Sequence, residues 1–224
     1  MKNVNISEGV KKLFYSEAIS LGVLFLSLIT SILYLGLGGY EAVEESGLKV
    51  LVMIFGILVL IASIVAFVFY LLGLNQAQKE DETFKKAFYC VIGNIVLTFI
   101  SFFVGNRIVS GIFSLIENIL SILAFYFVIT ALIELFENKN EDLVNKGKKL
   151  LLFYIIVFVA GALLRVISGF LPESAGVIVD ALDAIGFLVE ILGSILYCMY
   201  LYKSSTALLQ LPVEEKVSEE QVEF

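Results

Sequence analysis

Residues 11–37 read KKLFYSEAISLGVLFLSLITSILYLGL. Two lysines and a Phe-Tyr pair open an apolar run of about 20 residues, the length that crosses the hydrocarbon core of a bilayer. The same entry occurs twice more, as Lys85-Lys86 with Phe88-Tyr89 and as Lys148-Lys149 with Phe153-Tyr154. Each copy leads into an apolar stretch, a turn, and a second apolar stretch. The chain therefore reads as three membrane hairpins in series.

Composition agrees. The hydrophobic fraction is 59%, the charged fraction 17% and the mean hydropathy +0.97, which leaves too little polar surface for a soluble domain. The apolar runs are continuous rather than alternating, which excludes a transmembrane barrel. The expected class is an all-α polytopic membrane protein with six transmembrane helices, near residues 17–37, 48–74, 84–104, 108–136, 149–171 and 175–203. Residues 1–211 form one domain, with hairpin repeats at about 8–78, 79–140 and 141–211. Residues 212–224 form an acidic tail without apolar periodicity, expected to be disordered. The first apolar run is too long for a signal-peptide core and reads as a retained helix.

Lysine and arginine placement sets the expected orientation. Lys2, Lys11, Lys12, Lys79, Lys85, Lys86, Lys139, Lys146, Lys148, Lys149, Lys203 and Lys216 fall on one side. Lys49, Arg107 and Arg165 fall on or near the other, which accounts for all 15. Both termini are then cytoplasmic, in a cell membrane. The net charge of −7 comes largely from the first outer loop and the tail, and no basic surface for nucleic acid exists. Cys90 and Cys198 lie toward the reducing side, where small buried apolar roles fit them better than a disulfide.

The even-numbered spans align without gaps, which brings Ser63, Ser121 and Ser194 into register. One turn earlier stand Val59, Glu117 and Glu190. Aligned serines, two aligned glutamates and the tripled entry together suggest an internal triplication, its copies related by an axis along the membrane normal.

An ionisable residue deep in a membrane is a functional-site hypothesis by default. Glu117 lies about ten residues from the outer end of its span, or roughly 15 Å of depth. Glu190 lies at a similar depth. Ser114, Glu117, Asn118 and Ser121 share one helical face, as do Asp180, Asp183, Glu190 and Ser194. The candidate intramembrane site is Glu117, Asn118, Ser121, Glu190 and Ser194, where a neutral carboxyl could donate to Ser121, Ser194 or Asn118. Arg165 and Asp180 or Asp183 lie at matching depths on neighbouring spans and form a candidate ion pair.

The absence of histidine, of metal-ligand clusters and of nucleophile motifs argues against an enzyme, leaving an intramembrane carboxylate hydrolase as the remote alternative. No metal or cofactor is expected. Expected partners are the lipid bilayer and either another membrane protein or a second copy of this chain. Two functions compete. One is a non-enzymatic accessory or interaction protein of the cell membrane. The other is a small transporter or channel with an ion or proton path past Glu117 and Glu190.

Overall fold

In the computed structural model the described residues are 2–37, 48–103, 107–168 and 176–211. Within them, the side chains of 2–3, 34–37, 107–108, 110–111, 161–168 and 176–184 lie outside the description. The chain is all-helical: α1 (Lys2–Leu37), α2 (Lys49–Ala77), α3 (Glu82–Ser101), α4 (Arg107–Phe136), α5 (Glu141–Ser168) and α6 (Gly176–Gln210). Among the described residues, α1 to α4 and α6 are long and apolar enough to cross a membrane. The first nine residues of α5 include five charged side chains, so its apolar stretch begins only at Leu150.

Two short connections join helices at the lysine-rich end. In the first, the Asp81 carboxylate accepts from the backbone N–H groups of Thr83 and Phe84 and caps α3. In the second, Asn138 adopts a left-handed conformation with φ 62°, which asparagine tolerates better than most residues. The Asn140 side chain then accepts from the Leu143 N–H and caps α5.

Each helix packs against its neighbours in sequence, and α6 closes on α1, so the chain order is also the order around a ring. The ring is tied at the lysine-rich end by polar contacts. Asn5 of α1 donates to Glu80 at 2.8 Å, and Gln76 of α2 donates to Glu8 at 2.6 Å. The Ser7 hydroxyl donates to the Ser205 carbonyl at 2.7 Å across the closing seam between α1 and α6.

Buried apolar side chains gather at that same end. Ile6, Val10 and Leu13 of α1 meet Leu74 and Ala77 of α2, Phe84 of α3, Phe136 of α4 and Leu201 of α6 in one cluster. Farther along the helices, Ile57, Leu60 and Ile64 of α2, Leu115 of α4, Ile156 of α5 and Leu188 of α6 are exposed. Water drives apolar burial at the polar end, whereas lipid tails offer no such drive between helices. The distribution of burial thus follows the solvent expected along the bundle.

Three boundaries differ from the sequence reading by a turn or more. Helix α1 begins at Lys2 rather than at residue 17, α5 begins at Glu141 rather than 149, and α6 runs to Gln210 rather than 203. A search for uniformly apolar runs passes over these turns because they are amphipathic. Ile6, Val10 and Leu13 recur at helical spacing on the buried face while Glu8 and Lys11 are exposed.

Burial recurs in register along the chain. With Ser63, Ser121 and Ser194 aligned, Ala66, Ala124 and Tyr197 are all buried, as are Gly73, Ala131 and Ser204, and Leu74, Leu132 and Ser205. With the lysine pairs aligned, Val10, Phe84 and Gly147 are buried together, as are Leu13, Ala87 and Leu150. The Phe-Tyr pair does not keep this register. Tyr15 and Tyr89 are 40% and 60% exposed. The third pair comes two residues later relative to its lysines, a rotation of about 200° on a helix. Tyr154 consequently packs inward, its ring 3.8 Å from that of Phe125.

Candidate functional site

The inward stripe of α1 passes through Ile6, Val10 and Leu13 and reaches Glu17 one turn later. Glu17 lies five residues beyond Lys12, or about 8 Å deeper along the helix. Opposite it, α6 presents Glu190, Ser194 and Tyr197 at steps of four and three residues. Ser194 is an electrostatic neighbour of both the Glu17 carboxylate and the Tyr154 hydroxyl of α5.

The charged group acting on Glu17 is Glu190, of like sign, and Glu190 also acts on Tyr154. Aromatic rings pack together beside Tyr154. Phe125 of α4 reaches Tyr197 of α6 at 4.5 Å between ring centroids, and Tyr154 lies 6.5 Å from Tyr197. Tyr197 is 4% exposed, and its hydroxyl has no hydrogen-bond partner among the described residues. Its electrostatic neighbours are Tyr70 of α2, Glu17, Tyr154 and Tyr200.

The candidate residues named from sequence separate into two groups. Glu117 and Ser121 of α4 face α3. Ser101 donates to the Glu117 carboxylate at 3.4 Å, and Asn94 donates to the Ser121 hydroxyl at 2.9 Å. Ser121 in turn donates to the Glu117 carbonyl at 2.9 Å. Asn118 is exposed and donates to the Ser114 carbonyl of its own helix at 2.8 Å. Ser63, the aligned serine of α2, likewise bonds within its helix, to the Val59 carbonyl. Glu190 and Ser194 belong to the α1–α5–α6 group instead. In the ring, α5 stands between α4 and α6. The side chains of Arg165, Asp180 and Asp183 lie outside the described residues, and so does their ion pair.

Glu17 and Tyr154 are the residues that sequence reasoning passed over. The signal was available. With the lysine pairs aligned, Glu17, Val91 and Tyr154 occupy one position, a turn beyond the buried Leu13, Ala87 and Leu150. A search confined to mid-depth acids does not reach it.

Both cysteines are free, with Cys198 buried and Cys90 half-buried. Among the described residues, no group of three or more Asp, Glu or Cys side chains could hold a metal ion. No family model matches the chain, and no curated protein or solved structure matches it either.

Proposed function

We propose that this chain is a non-enzymatic accessory or interaction protein of the cell membrane, with six spans and both termini cytoplasmic. The observation that supports it is the use made of intramembrane polar side chains. Ser101 with Glu117, and Asn94 with Ser121, join neighbouring helices, as the Ser7 hydroxyl and the Ser205 carbonyl do at the polar end. Such contacts fix a helical bundle and contribute about 1 kcal/mol or less apiece. The lysines support the orientation, since 12 of 15 cationic residues fall on the side of the two short connections. The recurrence of burial at matching positions in α2, α4 and α6 supports a triplicated origin. The partner of this reading is another integral membrane protein or a second copy, docked through the apolar faces of the bundle.

A second reading, a small transporter or channel, is favoured by the juxtaposition of Glu17 and Glu190. Its path would pass these two acids rather than Glu117 and Glu190. Reconstitution into proteoliposomes separates the readings. The accessory role expects no flux of protons, sodium or potassium above that of empty liposomes under an imposed gradient. Flux that Glu17→Gln and Glu190→Gln abolish would replace it with the second reading.

A further inference from the structure

An open groove of about 260 Å³ lies at the lysine-rich end, between the start of α5 and the last turns of α6. Asn140 and Asp142 line one wall, and Tyr202, Lys203, Thr206 and Gln210 the other. Tyr202 sets its depth. The ring packs against Phe14 at 5.3 Å, and Phe14 belongs to the aromatic entry expected at the bilayer interface. Asp142 is ion-paired with Lys146 of the next turn, which offsets its charge. Lys203 is exposed and forms no ion pair with a described residue. Lys149 shares the helical face of Asp142, two turns nearer the membrane, and is also exposed and unpaired among the described residues. The two helices run antiparallel, with Gly147 against Tyr200 and Gly193 against Tyr154. Side chains tilt toward the N-terminus of their own helix, so Lys149 and Lys203 lean toward each other from opposite ends of the groove. Above it the same faces turn apolar. Leu196 stands two turns before Lys203, Ile156 two turns after Lys149, and both are exposed, as are Leu192 and Met199.

We propose that the α5–α6 groove binds the headgroup of one anionic phospholipid of the cytoplasmic leaflet, its phosphate held between Lys149 and Lys203. Charge-assisted hydrogen bonds from two ammonium groups suit a phosphate. A cationic groove that continues into an exposed apolar track matches a phospholipid end to end, with phosphate below and acyl chains above. A choline headgroup shares the phosphate but adds a cation, which the two lysines repel. The Thr206 hydroxyl donates to the Tyr202 carbonyl at 3.0 Å and keeps lone pairs for a headgroup hydroxyl. Lys148 stands at the depth of Lys149 but about 100° round the helix, off the groove face. A general attraction of lysines to an anionic leaflet would use both alike, whereas the groove uses Lys149. The inference rests on the cytoplasmic placement of the lysine-rich end, but needs neither a protein partner nor ion movement. Binding in micelles has no sidedness, so its failure leaves the proposed function standing.

The test is native mass spectrometry of the full chain in an uncharged detergent, titrated with dioleoyl phosphatidylglycerol or dioleoyl phosphatidylcholine. Wild type is expected to retain one phosphatidylglycerol saturably, with a preference of about tenfold or more over phosphatidylcholine. Lys149→Gln and Lys203→Gln are each expected to weaken retention about fivefold. Thr206→Trp fills the groove without altering charge and is expected to weaken it as much. Lys148→Gln is expected to bind as wild type. Helical circular dichroism checks that every variant folds. Equal retention of the two lipids by wild type overturns the proposal, as does a loss in Lys148→Gln equal to that in Lys149→Gln. Displacement by an equal concentration of glycerol phosphate also overturns it, because the occupant would then be a free phosphate compound.

Discussion

The hydroxyl of Ser7 donates to the backbone carbonyl of Ser205 at 2.7 Å, which joins the first helix to the last. In sequence these residues stand near opposite ends of the chain, and their contact lies on the seam that closes the ring. Ser7→Ala removes the donor and should loosen the seam, at an expected cost of about 1 kcal/mol. Equilibrium unfolding in mixed micelles measures it. Unchanged stability would mean that the contact does not tie the seam.

Glu190 acts on Glu17, whereas Glu117 bonds to Ser101 on another helix pair. Glu17→Gln and Glu190→Gln should therefore be non-additive in stability, by about 0.5 kcal/mol or more. Glu117→Gln and Glu190→Gln should add within about 0.5 kcal/mol. Because like charges repel, Glu190→Gln is expected to stabilise rather than weaken the bundle. Coupling between Glu117 and Glu190 would instead restore the single shared site that helical spacing suggested.

Backbone approach between α1 and α2 depends on two glycines. A Cβ on Gly73 would lie 2.7 Å from the Gly9 carbonyl oxygen, and one on Gly9 would lie 2.8 Å from the Gly73 oxygen. Neither obstacle is a flexible side chain, so Gly9→Ala and Gly73→Ala should each destabilise by about 1–3 kcal/mol. At Gly22 and Gly56 a Cβ would meet nothing within 4 Å. There the better helix propensity of alanine should leave stability unchanged or raise it by up to about 1 kcal/mol. Thermal unfolding of the four variants provides the contrast. Similar behaviour at all four sites would contradict the close seam.

Asp81 caps α3 through two backbone N–H groups. Asp81→Ala should cost about 1 kcal/mol, and Asp81→Asn or Asp81→Ser much less. Amide hydrogen exchange at Thr83 and Phe84 would localise the loss. Unchanged exchange in Asp81→Ala would show that the cap contributes nothing.

Much of the architecture is legible in the residues. Apolar runs separated by charged connections define six helices, since a membrane admits few other ways to satisfy a backbone. The turns beyond the lysines are harder to see. Their apolar residues occupy one face only, as Ile6, Val10 and Leu13 do, and hydropathy averaged over a window hides a face. The site is legible in part. Helical spacing places Glu190 with Ser194 and Glu117 with Ser121, because that follows from one helix alone. Which helix each face meets depends on packing across the ring, so Glu117 turned to α3 and Glu190 to α1. The Phe-Tyr pairs show how little two residues of displacement need be: Tyr15 and Tyr89 are exposed, while Tyr154 enters the bundle.

The count of spans carries the rest, and α5 decides it, since its first nine residues hold five charges. Six spans put both termini on one side; five put them on opposite sides. The direct measurement is labelling of intact cells with a membrane-impermeant maleimide, after Cys90→Ala and Cys198→Ala remove the native thiols. Single cysteines replace Val4, Leu209 and Glu44 in turn. Six spans with cytoplasmic termini predict labelling at Glu44→Cys alone until the cells are permeabilised. Labelling of only one of Val4→Cys and Leu209→Cys in intact cells would contradict the six-span bundle.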